Sequence, residues 1–336
     1  MPFDHDELSA NANGGAEMMG RLLERHLDRE LFECVHIIRS RVRSISPTLP
    51  NILWLHDLPN DPEAVKLADP QWRSQFARLV FVSEWQQREY NRVLGVPFRE
   101  GTVIRNAIEL SGESASKVVE GKASRKDQLR LIYHTTPHRG LELLAMMVGR
   151  LGQDLPNARI RLDVFSSFEA YGWSERDEPY RGLFEWLRSH PWVRYHGWQP
   201  NDVVVDHLRE AHAFVYPCIW PETSCIAAIE ALAYGCDVWT TDLGALPETV
   251  YLATGRPNDS IMLVRHSTNM QELIDDFYNE CLLPRVTTTG RASHHAAEAA
   301  NESTRRRIST TETVRAVYNH RRFIDDWTRL ITKIKG

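Results

Sequence analysis

Cysteine is scarce and scattered: Cys34, Cys218, Cys225, Cys236 and Cys281 include no C-x-x-C pair. This excludes the common zinc-finger spacings and the dense disulfide framework of small secreted domains, and it fits a reducing compartment. No run of about 18 apolar residues occurs, so no segment reads as a membrane-spanning helix. The opening residues, MPFDHDELSANANGG, are acidic and polar where a secretory leader would be basic and then apolar. The expectation is a cytoplasmic protein that at most lies against a membrane surface. Positive charge is not in excess either, since 40 Lys and Arg face 45 Asp and Glu for a formal charge of -5. Net charge therefore does not support nucleic acid as a partner, although it leaves room for a local patch such as Arg39, Arg41 and Arg43. Fourteen histidines are present, His294 and His295 among them, but there is no H-E-x-x-H and no D-x-D at a predicted strand end. No metal and no cofactor are expected.

The composition, 42% hydrophobic and 25% charged, is that of a globular chain, and 336 residues at roughly 100 to 200 per domain predict two domains. Helical and strand periods alternate through most of the length, which predicts an α/β protein with parallel sheets. In the first half, EMMGRLLERHL reads as helix, ECVHIIRS and NILWLHD as strands, and RLVFVSE, WQQREYNRVLG and GTVIRNAI continue the alternation. Residues 109 to 128 are polar and lack an apolar pattern, so they read as a linker. The domains are set at 1–118 and 119–311, with the amphipathic C-terminal segment 312–336 joining the first. The second half opens with LRLIYHT and runs as a regular doubly wound unit to CDVWTTD. Such sheets bind ligands beyond the carboxyl ends of their strands, at the loops after 135, 197, 217 and 242. Residues 285 to 307 read as partly exposed helix or loop.

The most informative stretch is VYPCIWPETSCIAAIEALAYGCDVWTTDLGALPETV, residues 215 to 250. A strand ends in a Pro-containing loop with Glu222, seven residues follow, and Glu230 sits inside the apolar helix AAIEALA. This resembles the donor-binding signature of glycosyltransferase family 4, retaining enzymes of GT-B architecture. The resemblance implies two Rossmann-like doubly wound domains facing across a cleft, with the N-terminal one reduced here. The residues support it on physical grounds. The first helical N–H groups have no partner within the helix, so Thr223, Ser224, Cys225 and Ile226 offer an anion site suited to a diphosphate. Glu230 can accept hydrogen bonds from a vicinal diol such as the two ribose hydroxyls. An unpaired carboxylate in an otherwise apolar helix would cost several kcal/mol, which argues against a merely incidental glutamate. Glu222 would face the donor sugar.

Five further segments extend the resemblance. In IYHTTPHRGLELL, Arg139 with Gly140 takes the place of the family's Lys-Gly, where a guanidinium grips phosphate oxygens. The family's upstream Arg is missing, and His134, Thr135 and Thr136 stand there instead. VRYHGWQPNDV resembles the segment lying against the nucleotide base, with Gly197 and Trp198 as candidates, although a Trp buried between domains fits equally. NANGGAEMMGRLL resembles the Gly-Gly-x-Glu loop, with Gly14, Gly15 and Glu17 in place, but the usual hydrophobic strand ahead of it is absent. WLHDLPND places His56 where relatives carry a histidine near the transferred sugar, and Asn106 in TVIRNAIEL shapes the acceptor or phosphate side. The implied catalytic residues are His56, Arg139 and Glu222.

The expectation is thus a retaining, metal-independent transferase that moves a sugar from a nucleoside-diphosphate sugar to an acceptor hydroxyl on a glycan or similar molecule. The rivals are a catalytically weak sugar-nucleotide or glycan-binding module of the same architecture, a related epimerase or phosphorylase, and a transferase with an unusual acceptor such as modified DNA.

Overall fold

The computed structural model describes residues 14–110, 112–123, 128–252, 260–289 and 296–336. The N-terminal stretch expected to lack a first strand, and the His294–His295 pair, lie outside the described residues. The chain forms two compact units. One runs up to Glu109 and takes in Pro221–Ile226 and Tyr318–Gly336; the other comprises Leu110–Trp220 and Ala227–Val317.

The first unit is built on a parallel sheet of β1 (His36–Arg39), β2 (Asn51–Leu55), β3 (Arg78–Phe81) and β4 (Gly101–Val103), in that order. All five residues of β2 are buried, as a parallel strand covered on both faces requires. Alternate side chains serve opposite faces. Ile37, Ile52, Trp54 and Val80 pack with Met19, Leu22 and Leu23 of the helix Gly15–His26 and with Phe323, Trp327, Leu330 and Ile331 of the C-terminal helix His320–Lys335. Ile38, Leu53, Leu55 and Phe81 pack instead with Leu67, Phe76 and Tyr90. Trp327 stands edge-on to Trp54 with ring centres 4.9 Å apart, one of the favoured aromatic geometries. The C-terminal helix starts where Asn319 caps it, its side chain accepting from the Arg322 N–H at 2.9 Å.

The second unit contains six parallel strands, β5 (Leu129–Tyr133), β6 (Ile160–Val164), β7 (Val193–Tyr195), β8 (Ala213–Tyr216), β9 (Asp237–Thr241) and β10 (Ile261–Val264). Their spatial order is β10-β9-β8-β5-β6-β7. The chain works outward from β5 to β7, returns to place β8 on the other side of β5, and works outward again. The order reverses between β5 and β8, and that switch point is where doubly wound sheets open a crevice for ligands.

The segment read as a linker contains a helix, Ala115–Ala123, that buries Val118 and Val119 and packs on the long helix Ala296–Val317. Its inward face was illegible because it includes Lys122, a residue that sequence patterning assigns to solvent. Lys122 Nζ donates to the carbonyls of Leu208 and Ala211, at 2.7 and 2.6 Å, and to Cys236 Sγ at 3.1 Å. Burial lowers its pKa. The stretch expected to be partly exposed helix or loop likewise contains an anchor: Arg307 reaches both oxygens of buried Asp237, at 3.0 and 2.6 Å.

Candidate active site

In the second unit the loops that follow β5 and β8 touch. Gly140, which closes the turn Pro137–Arg139, has φ +122°, and a Cβ there would lie 2.1 Å from the Pro217 carbonyl oxygen. Only glycine permits this backbone to pass so close. The contact is extended by the Ile219 N–H, which donates to the Arg139 carbonyl at 3.3 Å. The helix Leu141–Asp154 starts immediately afterwards, so Arg139 sits beside a helix N-terminus, a place that favours anions.

The β5 loop carries an unusual group of polar atoms. His134 Nε2, Thr135 Oγ1 and Thr136 Oγ1 are buried and have no hydrogen-bond partner among the described residues. Burial pushes His134 down to about 3, so its imidazole is neutral at physiological pH. Buried polar groups left unmatched by their own chain cost about 1–3 kcal/mol each, and three in succession mark a loop suited to an outside partner. His138 stacks on Phe168 at 5.1 Å and meets Trp220 edge-on at 5.0 Å.

Across the switch point, the helix Ile226–Ala233 follows β8. It begins at Ile226, so Ser224 and Cys225, expected in its first turn, belong to the turn before it. Glu230 is buried, and Asn201 Nδ2 donates to its Oε1 at 2.9 Å. Burial pushes this carboxyl up to about 7 against the opposing effect of the Asn201 bond. Gly197, in the left-handed conformation, and Trp198 line a cavity of about 320 Å³ together with Ser167, Asp177, Arg181 and Tyr195. The polar wall from 167 to 181 was not singled out in the sequence. Its only signal was a long polar run after β6 interrupted by Phe168, Tyr171 and Trp173.

The remaining candidates belong to the first unit. The segment Pro221–Ile226 packs there, and Thr223 Oγ1 donates to the carbonyl of His56 at 2.8 Å, so the loop carrying buried Glu222 is tied to the end of β2. Ile226 packs against the hydrophobic core of this unit, 3.1 Å from where a Cβ on Gly15 would be. The His56 ring lies 4.6 Å from that of Trp54, and its Nε2 has no partner among the described residues. Burial, reinforced by Arg39, pushes it down to about 3. Gly14 precedes the first helix in extended conformation, and Asn106 is buried with its Oδ1 unpartnered among the described residues. The first unit therefore gathers Gly14, Gly15, His56, Asn106 and 222–226, while the second gathers His134, Thr135, Arg139, Gly197, Trp198 and Glu230.

Residues 131–279 match the family model described as Glycosyl transferases group 1. No curated protein matches the sequence. Among solved structures, the chain is similar to a glycosyltransferase from Rickettsia africae ESF-5, at 12% identity and TM-score 0.62 over 96% of this chain and 81% of that one. It is similar to sucrose-phosphate synthase from Thermosynechococcus elongatus, at 15% identity and TM-score 0.60 over 95% and 78%. HepE from Anabaena in complex with UDP and glucose gives 12% and 0.61 over 94% and 82%. The chain thus has the GT-B fold, and within it residues 131–279 match glycosyl transferases group 1.

Proposed function

We propose that the protein is a retaining, metal-independent glycosyltransferase that moves a sugar from a nucleoside diphosphate to an acceptor hydroxyl. The observation that carries this reading is Glu230: a carboxylate buried in an apolar helix, with an amide as its hydrogen-bond partner, beside the switch point of a doubly wound sheet. Such a group suits a ligand that brings two hydroxyl donors, as ribose does.

In the second unit the diphosphate is assigned to Arg139, His134 and Thr135 and the base to Gly197 and Trp198; in the first, Glu222 is assigned to sugar hydroxyls and the N–H groups from Thr223 to Ile226 to anion binding. The neutral His56 offers a hydrogen bond at the reacting centre and takes no part as an acid, because its pKa near 3 keeps it unprotonated. Gly14, Gly15 and Asn106 are assigned to the acceptor or phosphate side. As the bond from the anomeric carbon to the phosphate oxygen breaks, negative charge grows on the diphosphate and is met by the Arg139 guanidinium, the work that a metal does elsewhere. The leaving phosphate takes the acceptor proton, and the new bond forms on the face that the phosphate leaves. That the Anabaena structure contains UDP and glucose makes UDP-glucose the first donor to try.

The test is nucleoside diphosphate release from UDP-, GDP-, ADP- and dTDP-sugars, with and without EDTA, in wild type, Glu222→Ala, Glu230→Gln and Arg139→Ala. Release from one donor that persists in EDTA and falls in all three variants supports the reading. Donor binding without release in the presence of varied acceptors would favour a binding module.

A further inference from the structure

The second unit holds a cluster of ligating side chains to which the proposed transfer gives no role. Asp163 on β6, His196 just after β7 and His207 on the helix Asn201–Leu208 bring three donor atoms within 4.8 Å of one another. His196 Nε2 lies 2.9 Å from Asp163 Oδ1, and His207 Nε2 lies 4.0 Å from the same oxygen. The carboxylate is buried, while each imidazole is about a quarter exposed, so the group opens to solvent on one side.

Each donor is held in orientation by another group. His207 Nδ1 is 3.0 Å from the Val203 carbonyl, one turn back in its own helix. A carbonyl only accepts, so Nδ1 is the donor here, and in the neutral imidazole this tautomer leaves the Nε2 lone pair for a ligand. Arg161 Nε donates to Asp163 Oδ2 at 2.7 Å, engaging the oxygen opposite the one that faces the imidazoles. Phe165 stacks on His196 at 4.4 Å and stands edge-on to His207 at 4.9 Å. Contacts of these kinds are what orient metal ligands. A purely hydrogen-bonded group would account for His196 and Asp163, but it leaves His207 Nε2 too far from Asp163 for a hydrogen bond. Metal–ligand bonds of about 2.0–2.2 Å in a tetrahedral array set neighbouring donors about 3.3 Å apart, between the two separations observed.

We propose that Asp163, His196 and His207 bind one divalent transition-metal ion of the zinc type, with solvent completing its coordination. Two imidazoles and one carboxylate favour zinc, cobalt or nickel over magnesium and calcium, which prefer oxygen. The ion fastens β6 to the segment carrying Gly197 and Trp198 and to the helix whose first residue, Asn201, holds Glu230. It is a fastener and takes no part in sugar transfer, so diphosphate release continues in EDTA.

The test is a Co²⁺ titration of the metal-free, untagged full chain, read by visible absorption and followed by Zn²⁺ competition, in wild type, His196→Gln and His207→Gln. Far-UV circular dichroism establishes that each variant is folded. The expected result is one Co²⁺ per chain with an intense visible band that Zn²⁺ displaces, and affinity weaker by about tenfold or more in His207→Gln. A Zn²⁺-induced rise in melting temperature should vanish in the same variant. A wild type with neither band nor rise overturns the proposal, as does a band of unchanged affinity in a folded variant. If His196→Gln does not fold, His207→Gln decides alone, since it removes no hydrogen bond to Asp163.

Discussion

Replacing Glu230 by glutamine removes an ionisation and leaves the shape almost untouched, so its effect on stability should depend on pH in a calculable way. Burial raises this carboxyl from an ordinary 4.5 to about 7, with the Asn201 hydrogen bond pulling the other way. Between those values the unfolded chain releases a proton that the folded chain keeps. The stability contribution is therefore fully present below pH 4.5, is lost as pH rises towards 7, and stays lost above it. About 2.5 pH units at roughly 1.4 kcal/mol each amount to about 3 kcal/mol. Glutamine is neutral throughout. Glu230→Gln should match wild type near pH 4.5 and exceed it by up to about 3 kcal/mol at pH 8. Urea unfolding of both proteins at the two pH values, followed by far-UV circular dichroism, measures the difference. An equal difference at both pH values, or a glutamine variant less stable at pH 8, refutes the argument. The same variant should bind a nucleotide sugar about tenfold or more weakly, because hydrogen bonds to a charged acceptor contribute about 1.5–3 kcal/mol. A substitution that stabilises the fold while weakening the ligand is what a functional buried charge predicts.

Four other outcomes follow from the geometry. Trp327→Ala removes a fully buried indole packed on Trp54 and should cost about 3–5 kcal/mol in chemical denaturation; a loss under 1 kcal/mol, order of magnitude, would mean that the C-terminal helix is not part of that core. Gly140→Ala places a methyl against the Pro217 carbonyl at φ +122° and should lower the melting temperature and donor affinity together, whereas unchanged donor binding would separate this contact from the site. Thr223→Val deletes the bond to the His56 carbonyl, an expected cost of about 1 kcal/mol in unfolding free energy, and a neutral result would show that the loop is held by packing alone. Because the His56 imidazole is pushed from 6.5 to about 3, the unfolded chain gains a proton that the folded chain refuses as pH falls from 6.5 towards 3. Stability is lost in that window, and the rate profile above pH 5 should show no limb from His56; a limb near pH 6 that disappears in His56→Gln would contradict this.

Much of the architecture was legible because parallel strands covered on both faces declare themselves as short apolar runs, as NILWL and AFVY do. The C-terminal helix was legible from its apolar stripe, Phe323 to Ile331, but 312–336 is not one helix: the chain breaks at Tyr318–Asn319, and 312–317 end the preceding helix. Glu230 was legible from its incongruity within AAIEALA. What stayed hidden depends on tertiary satisfaction. Lys122 reads as a solvent residue until the carbonyls of Leu208 and Ala211 are seen to receive its ammonium. Asp163, His196 and His207 lie on separate elements, and no local spacing links them. The turn at Ser224 and Cys225 could not be told from a first helical turn, since helix boundaries are set by backbone angles that these residue types accommodate either way.

The first unit takes the nineteen residues Tyr318–Gly336, and the six from Pro221 to Ile226, from beyond the second unit's strands β5 to β8 in chain order. Its strands are synthesised well before the aromatic side chains that help to close one face of its sheet. Until Phe323 and Trp327 arrive, Ile37, Ile52, Trp54 and Val80 lack part of the cover they have in the folded unit. The order of translation is thus the reverse of the order of completion. Nascent chains should present an incompletely covered sheet face until residues 323–331 are made, and a chaperone able to shield it would act on the strands before those residues appear.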